Sequence, residues 1–332
     1  MFVDAARPAP LRVVVLMPVC DDWTAASQLL RLIDAAADKS GLGLRLEAVL
    51  VDDRSQQPCD PAALQFPYLA VKRICVVRLR RNLGHQRAIA IGLTHVHQSM
   101  TGDAVMVMDS DGEDTAEGVL QLIAAYGKTG SSQAIFAERS RRTESALFKA
   151  FYRLFRVLHR ALTGLGVKVG NFSILPWGYL ETLVVLAETW NHYAAAVFRS
   201  KLRFTTVAIP RGCRLAGESR MNFVSLVAHG LSAISVFADV VGVRLLIASV
   251  VGSLLAAGGI AAVTAIRLFT NLAIPGWATG AVGLSLIVLI QCITMAAGFT
   301  FFMLSNRTNM AFIPLRDYAL FIAGTAEIPL DG

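Results

Sequence analysis

Two aspartates, Asp109 and Asp111, close a short apolar run from Ala104 to Met108. An apolar strand that empties into two carboxylates spaced i, i+2 sets hard oxygen ligands at the end of a buried strand, where open α/β sheets bind their ligands. Magnesium or manganese beside a phosphorylated substrate is the occupant such donors favour. Alone, Asp109-Ser110-Asp111 reads equally well as a polar turn, so its neighbours must decide.

Three further polar clusters follow apolar runs. Asp21-Asp22 comes after Val13 to Met17, Asp52-Asp53 after Leu46 to Val51, and Arg81-Asn82 after Ile74 to Leu79. With Val105 to Met108, Ala134 to Ala137 and helical stretches near 24–38, 84–99 and 116–126, these runs predict an α/β fold. Its sheet is mostly parallel, with helices on both faces. Parallel strands share a carboxyl edge, so all four clusters should line one crevice. Local readings exist too: Asn82 as the cap of a helix beginning at Leu83, and Asp53 in a turn with Ser55. Four such coincidences on one edge are harder to accept than one site. Neither G-x-G-x-x-G nor G-x-x-x-x-G-K-[ST] occurs, which argues against a dinucleotide-binding dehydrogenase and a P-loop NTPase.

The 332 residues are 55% hydrophobic with a mean hydropathy of +0.54. That is too apolar for one ordinary soluble domain, and the first two thirds are too charged for a polytopic transporter. Arg244 and Arg267 enclose 22 uncharged residues, about 33 Å of helix, enough to cross the hydrocarbon layer. No charge then appears until Arg307, and Ile274-Pro275-Gly276-Trp277 divides that run. A hairpin of spans at about 245–266 and 278–304 is expected. Arg214, Arg220 and Arg244 before it, and Arg307 and Arg316 after it, predict that both termini are cytoplasmic. The N-terminus has no cleavable signal pattern. Five scattered cysteines without C-x-x-C spacing indicate neither a disulfide framework nor a zinc site. The net charge of +7 comes without an aromatic-basic nucleic-acid motif, so anionic lipid or phosphate, not nucleic acid, is the expected partner.

Lys149, Arg153, Arg156 and Arg160 beside Phe148, Tyr152, Phe155 and Leu162 form a basic amphipathic helix over 146–162. It is either a solvated charged face over a packed one or a dock for anionic headgroups. Residues 222–237 read as a second interfacial helix. The domains expected are a cytoplasmic catalytic domain at 1–215, a juxtamembrane helix at 216–240, the hairpin at 241–304 and a tail at 305–332. That tail is read as packed on the hairpin or partly loose.

The chain resembles the membrane-anchored family 2 glycosyltransferases of the GT-A, Rossmann-like fold that act on polyprenyl phosphates. The matching stretches are Leu16-Met17-Pro18-Val19, Val51-Asp52-Asp53-Arg54-Ser55, Arg81-Asn82-Leu83-Gly84-His85 through Ala88 and Gly92, and Asp109-Ser110-Asp111-Gly112-Glu113-Asp114. Beyond them come Ala137-Glu138-Arg139-Ser140-Arg141, Val169-Gly170-Asn171-Phe172 and Ala216-Gly217-Glu218-Ser219-Arg220. The resemblance implies that Pro18, Asp22, Asp52 and Asp53 surround the base and ribose of a nucleotide-sugar, with Arg81 and Asn82 on the same edge. It implies that Asp109 and Asp111 hold Mg2+ or Mn2+ against the diphosphate, with Glu113 as a further ligand. Arg139, Arg141, Arg142 and Arg220 would face phosphates of donor or acceptor, and Asn171 would lie near the acceptor. Relatives often assemble as homo-oligomers. Many carry a carboxylate and an arginine where this chain has Asn171 and Ser173.

The expected reaction is inverting, metal-dependent transfer of a single sugar from a UDP- or GDP-sugar to undecaprenyl or dolichyl phosphate at the cytoplasmic membrane face. A transferase acting on a lipid hydroxyl, and a catalytically degenerate membrane scaffold or nucleotide sensor, are the alternatives. A processive polysaccharide synthase fits less well, because the chain contains no Arg-Trp dipeptide and two spans form no pore in one protomer.

Overall fold

Strand β1 (Arg12–Val19) sends alternate side chains into two cores. Val13, Val15, Met17 and Val19 pack on one side, Val14 and Leu16 on the other, as the two-residue strand period requires. A strand apolar on both faces needs cover on both. On the first face lie α1 (Trp23–Lys39), the short α2 (Pro61–Leu64) and α4 (Ala116–Lys128). On the second lie α3 (His85–Ser99), α5 (Tyr179–Leu183) and α6 (Tyr193–Arg199). The remaining strands are β2 (Arg45–Asp52), β3 (Val71–Leu79), β4 (Ala104–Val107), β5 (Ala134–Ser140), β6 (Val169–Pro176), β7 (Phe204–Pro210) and β8 (Ile322–Ile328). They form one sheet in the order β7-β5-β6-β4-β1-β2-β3-β8.

The pairs β1–β2, β1–β4, β2–β3 and β5–β7 are parallel; β3–β8, β4–β6 and β5–β6 are antiparallel. The fold is therefore α/β with a mixed, mostly parallel sheet. These features come from a computed structural model that describes residues 10–140, 157, 159–164, 169–217, 223–270, 276–308 and 312–330. At 139–140, 223–226, 229 and 305–308 it describes the backbone alone.

Gly92 lets α3 lie close on the sheet: a Cβ there would sit 2.4 Å from Leu16 Cδ1 and 2.8 Å from Val51 Cγ2. Both neighbours are fully buried, so neither can retreat. Gly92→Val should cost about 3 kcal/mol of stability through overpacking, read as a fall in the denaturation midpoint. An unchanged midpoint would refute the close approach.

The chain divides into two compact units. One is Met1–Ala150 with Val167–Val236 and Phe312–Gly332; the other is Phe151–Gly166 with Phe237–Ala311. The first holds the sheet and α7 (Phe223–Ser235), which falls on the stretch expected as the second interfacial helix. The second holds α8 (Ala238–Phe269) and α9 (Trp277–Thr308). Those two helices run antiparallel, with Gly242 against Met303, Gly252 against Cys292 and Gly259 facing Ser285. Gly242, Ser249 and Ala256, seven residues apart, are the buried positions of α8, small enough to let the backbones approach. Both helices are long and apolar enough to cross a membrane, with mean hydropathy of 2.2 and 2.1.

Arg244, expected just ahead of a span at 245–266, lies in the longer helix that holds that stretch, and its Nη1 donates to Ala161 O at 2.7 Å. The tail is not wholly loose: its residues Ile322–Ile328 form β8, antiparallel to β3. The outer edge of β3 would otherwise present unpaired backbone groups, which a returning strand satisfies. Helix α3 begins at His85 with Gly84 as its cap at φ +90°, so Asn82 does not cap it. Of the amphipathic stretch 146–162, only 157 and 159–162 are described, and these are helical.

Candidate active site

Because β1, β2, β3 and β4 run parallel, Asp21-Asp22, Asp52-Asp53, Arg81-Asn82 and Asp109-Ser110-Asp111 all leave the sheet at one edge. Their individual surroundings differ. Pro18 is buried near the end of β1. Asp21, at φ +54°, accepts from the backbone N–H of Gln56 (2.5 Å) and Gln57 (3.2 Å). Asp52 accepts from Ser55 N at 2.8 Å, and Ser55 Oγ accepts from Asp21 N at 2.9 Å. The loops after β1 and β2 are thus laced together. Asp52, not Asp53, makes the turn with Ser55.

Asp53 is 3% exposed and accepts from Leu83 N (2.6 Å) and Gly84 N (2.8 Å). Burial raises its pKa, and the two N–H groups only partly offset this. Its visible task is to shape the loop that precedes α3. Arg81 and Asn82 are exposed, and Asn82 Nδ2 approaches Cys20 Sγ at 3.5 Å.

Around the Asp109-Ser110-Asp111 tripeptide, each aspartate faces a basic group. Asp109 Oδ1 lies 3.2 Å from His85 Nε2. Asp111 Oδ2 lies 3.2 Å from Arg214 Nη1, and the same guanidinium reaches Asp22 Oδ1 at 2.7 Å. Burial, and then the charge of Asp109, raise the Asp111 carboxyl against the pull of Arg214 and Arg211. At His85 burial lowers the pKa, but the carboxylates of Asp109, Asp114 and Asp53 outweigh it and the net shift is upward.

Two residue groups here escaped the sequence reading. The first is the strap that follows β7, where Arg211 pairs with Glu113 and Arg214 bridges Asp22 and Asp111. It is fastened by Gly212 N to Glu113 O and Leu215 N to Asp111 O, both 2.9 Å, and Leu215 covers Gly112. The second is an amide chain. Tyr193 N donates to Gln86 Oε1 (2.8 Å), Gln86 Nε2 donates to Asn171 Oδ1 (3.1 Å), and Asn171 Nδ2 meets His85 Nε2 at 2.9 Å. Val107 pairs with Ser173 in the antiparallel register, which carries Asn171 toward Asp109. Ser173 is fully buried, its Oγ shared between Asn171 O (2.8 Å) and the Tyr193 hydroxyl (2.7 Å).

Asp109 and Asp111 are hard-oxygen donors on one loop, 23% and 16% exposed at the side chain. They fit an ion of the magnesium class, which takes one or two protein carboxylates and completes its shell with phosphate and water. Among the described residues no three His, Cys, Asp or Glu side chains form a ready metal cage. Glu113 is turned to Arg211 and is not gathered with the other two. The Arg139 side chain, Arg141, Arg142 and Arg220 lie outside the described residues.

The glycosyl transferase family 2 model matches residues 14–175, from β1 to β6. The chain is 25% identical over 293 residues to the undecaprenyl-phosphate 4-deoxy-4-formamido-L-arabinose transferase of Salmonella paratyphi A, covering 86% of this chain and 85% of that one. It is 27% identical over 217 residues to YkcC of Bacillus subtilis, described as an uncharacterized glycosyltransferase, covering 62% and 63%. Among solved structures it is similar to mannosyl-3-phosphoglycerate synthase from Rubrobacter xylanophilus, at a TM-score of 0.48 and 13% identity over 69% of this chain and 73% of that one. It is also similar to glucosyl-3-phosphoglycerate synthase from Mycobacterium tuberculosis, at 0.47 and 16% over 70% and 80%. The strand ends that carry Asp22, Asp53, Asn82 and Asp111 all fall inside residues 14–175, the stretch that matches the glycosyl transferase family 2 model.

Proposed function

We propose that the protein transfers one sugar from a UDP- or GDP-sugar to the phosphate of a polyprenyl lipid, undecaprenyl or dolichyl, at the cytoplasmic face of a membrane. The observation that carries this reading is Asp109 and Asp111 on the common strand edge, each facing a basic group. The relative named for an undecaprenyl-phosphate substrate and the two apolar helices support the lipid acceptor. The basic residues flanking those helices favour cytoplasmic ends.

In this reading Asp109 and Asp111 hold Mg2+ or Mn2+, which supplies Lewis-acid stabilisation of the departing diphosphate. A phosphate oxygen of the lipid attacks the anomeric carbon while its bond to the donor diphosphate breaks, and the electron pair leaves on the diphosphate. One such displacement inverts that carbon. A phosphomonoester with a second pKa of about 6 is largely dianionic at pH 7, so no side chain need remove a proton, and the amide of Asn171 is adequate beside His85. What the reaction needs instead is positive charge where two anions meet. Arg214 brings a guanidinium to the loop of Asp111, in the fork geometry that suits phosphate. Arg139, Arg141, Arg142 and Arg220 are assigned to the same task. Pro18, Asp22, Asp52, Arg81 and Asn82 line the nucleotide side, with Asp53 holding the loop beneath.

The test is incubation of the purified full chain with polyprenyl phosphate, Mn2+ and a panel of UDP- and GDP-sugars. The expected product has the mass of the lipid phosphate plus one sugar, and it disappears on chelation. An alkali-stable glycolipid formed on a hydroxyl lipid, or no metal-dependent nucleotide release with any donor, would refute the assignment.

A further inference from the structure

The sheet-bearing unit breaks off at Val236 and resumes at Phe312, and both points are fastened to one corner of it. Arg199 Nη1 donates to Val236 O at 2.6 Å, and Arg199 also pairs with Glu188 at 3.2 Å. Glu188 belongs to the 3-10 turn Ala187–Trp190. At the end of that turn the Trp190 ring stacks on Phe312, with centroids 3.7 Å apart, and meets Phe321 at 5.3 Å. Both connections to the apolar hairpin therefore start from the same place.

The surface at that corner is basic and carries an apolar tip. Arg80 N donates to Phe321 O at 2.8 Å, which fixes Arg80 and its neighbour Arg81 beside the resumed segment, and both side chains are exposed. The Arg87 guanidinium lies over the Trp190 ring at 5.2 Å. Arg316, in α10 (Pro314–Asp317), is exposed and shares its charge with Asp317. Between them Leu320 stands 71% exposed in a turn, Tyr318–Phe321, whose Tyr318 and Phe321 lie partly buried against the core. Among the described residues the acidic groups here, Asp317 and Glu188, each have an arginine partner, which leaves Arg80, Arg81 and Arg87 as surplus positive charge. An exposed leucine ringed by surplus arginines suits a bilayer surface, where the aliphatic tip enters the acyl boundary and the guanidinium groups meet phosphate.

We infer that the segment Phe312–Phe321, with Arg80 and Arg87, is a landing surface for anionic lipid headgroups. The inference rests on the membrane reading of α8 and α9, and deepens it by naming a lipid-facing side of the globular unit. Arg81 belongs both to this surface and to the strand edge that carries Asp109 and Asp111. The catalytic crevice would thereby open beside the headgroups from which a lipid phosphate must arrive.

The test places single nitroxide labels on the full chain, with its five native cysteines replaced, in nanodiscs of phosphatidylcholine with or without phosphatidylglycerol. Leu320→Cys reports the proposed surface. Leu42→Cys, 52% exposed in the loop between α1 and β2, serves as an aqueous reference, and Leu284→Cys, 69% exposed on α9, as a hydrocarbon reference. The expected result is a label at 320 that collides with oxygen and lipid-borne quenchers far more than with a water-soluble nickel chelate, provided phosphatidylglycerol is present. Removing one surface charge by Arg80→Gln or Arg87→Gln should reduce the contacting population about fivefold. A label at 320 as open to nickel as that at 42, one shielded from both reagents as at a protein contact, or one indifferent to phosphatidylglycerol would each overturn the proposal. If the label at 284 is also aqueous, the membrane reading itself falls and takes the landing surface with it.

Discussion

Replacing Asp111 by asparagine should abolish metal-dependent sugar transfer and leave the protein folded. The amide keeps the oxygen that accepts from Glu113 N at 3.0 Å and changes almost no volume. It removes the charge that would hold the divalent ion and that faces Arg214. Losing one of two charged ligands at a diphosphate-binding metal should lower turnover roughly a thousandfold. Stability should move the other way. Burial and Asp109 raise the Asp111 carboxyl above its unfolded value, so the folded state holds that proton more tightly. Its contribution favours folding at low pH and is lost as pH rises through the raised pKa. Asparagine carries no such penalty, so at neutral pH and without divalent ions the variant should melt at the same temperature as its parent or slightly higher, and the gap should close on acidification. Turnover near the parent's would sink the site. A lower melting temperature would mean that the pairing with Arg214 outweighs the burial of the carboxylate.

The strands of the first hundred residues were readable because each is apolar on both faces, and such runs have few other homes in a soluble unit. Their polar ends were readable for the same reason: four parallel strands must discharge at one edge. What stayed hidden depends on contacts far along the chain. Arg214 reaches Asp111 across 103 residues and Asp22 across 192, and in the sequence it registers only as a basic residue ahead of the hairpin. His85 and Gln86 look like the first turn of an ordinary helix until β6 delivers Asn171, 85 positions after Gln86. The tail strand Ile322–Ile328 is short and has large apolar side chains only at its two ends, and nothing local says that it will return to β3. Asp52 and Asp53 look interchangeable in the sequence, yet one ties a turn within its own loop and the other holds a loop 30 residues on.

That division of labour makes Asp53 the second position where a single change should have a large effect. Asp53→Ala leaves the N–H groups of Leu83 and Gly84 without their acceptor beside a buried carboxylate site, at about 1–3 kcal/mol for each group that water cannot reach. The raised pKa of Asp53 means that removing its charge returns part of this, so a net loss of about 2–4 kcal/mol is expected, read as a lower denaturation midpoint. Activity should fall further than stability alone predicts. Gly84 sits at φ +90°, a conformation the two hydrogen bonds help to hold, and the next residue is His85, which faces Asp109. If the loop relaxes, Asn82 and His85 lose their places on the strand edge together. The variant should therefore show reduced turnover at temperatures where it is still fully folded, and Asp53→Asn should share the defect, because its NH2 group would point at one of the two N–H donors. A fully active Asp53→Asn would show that one acceptor suffices and that the loop holds its shape by packing of Leu83 alone.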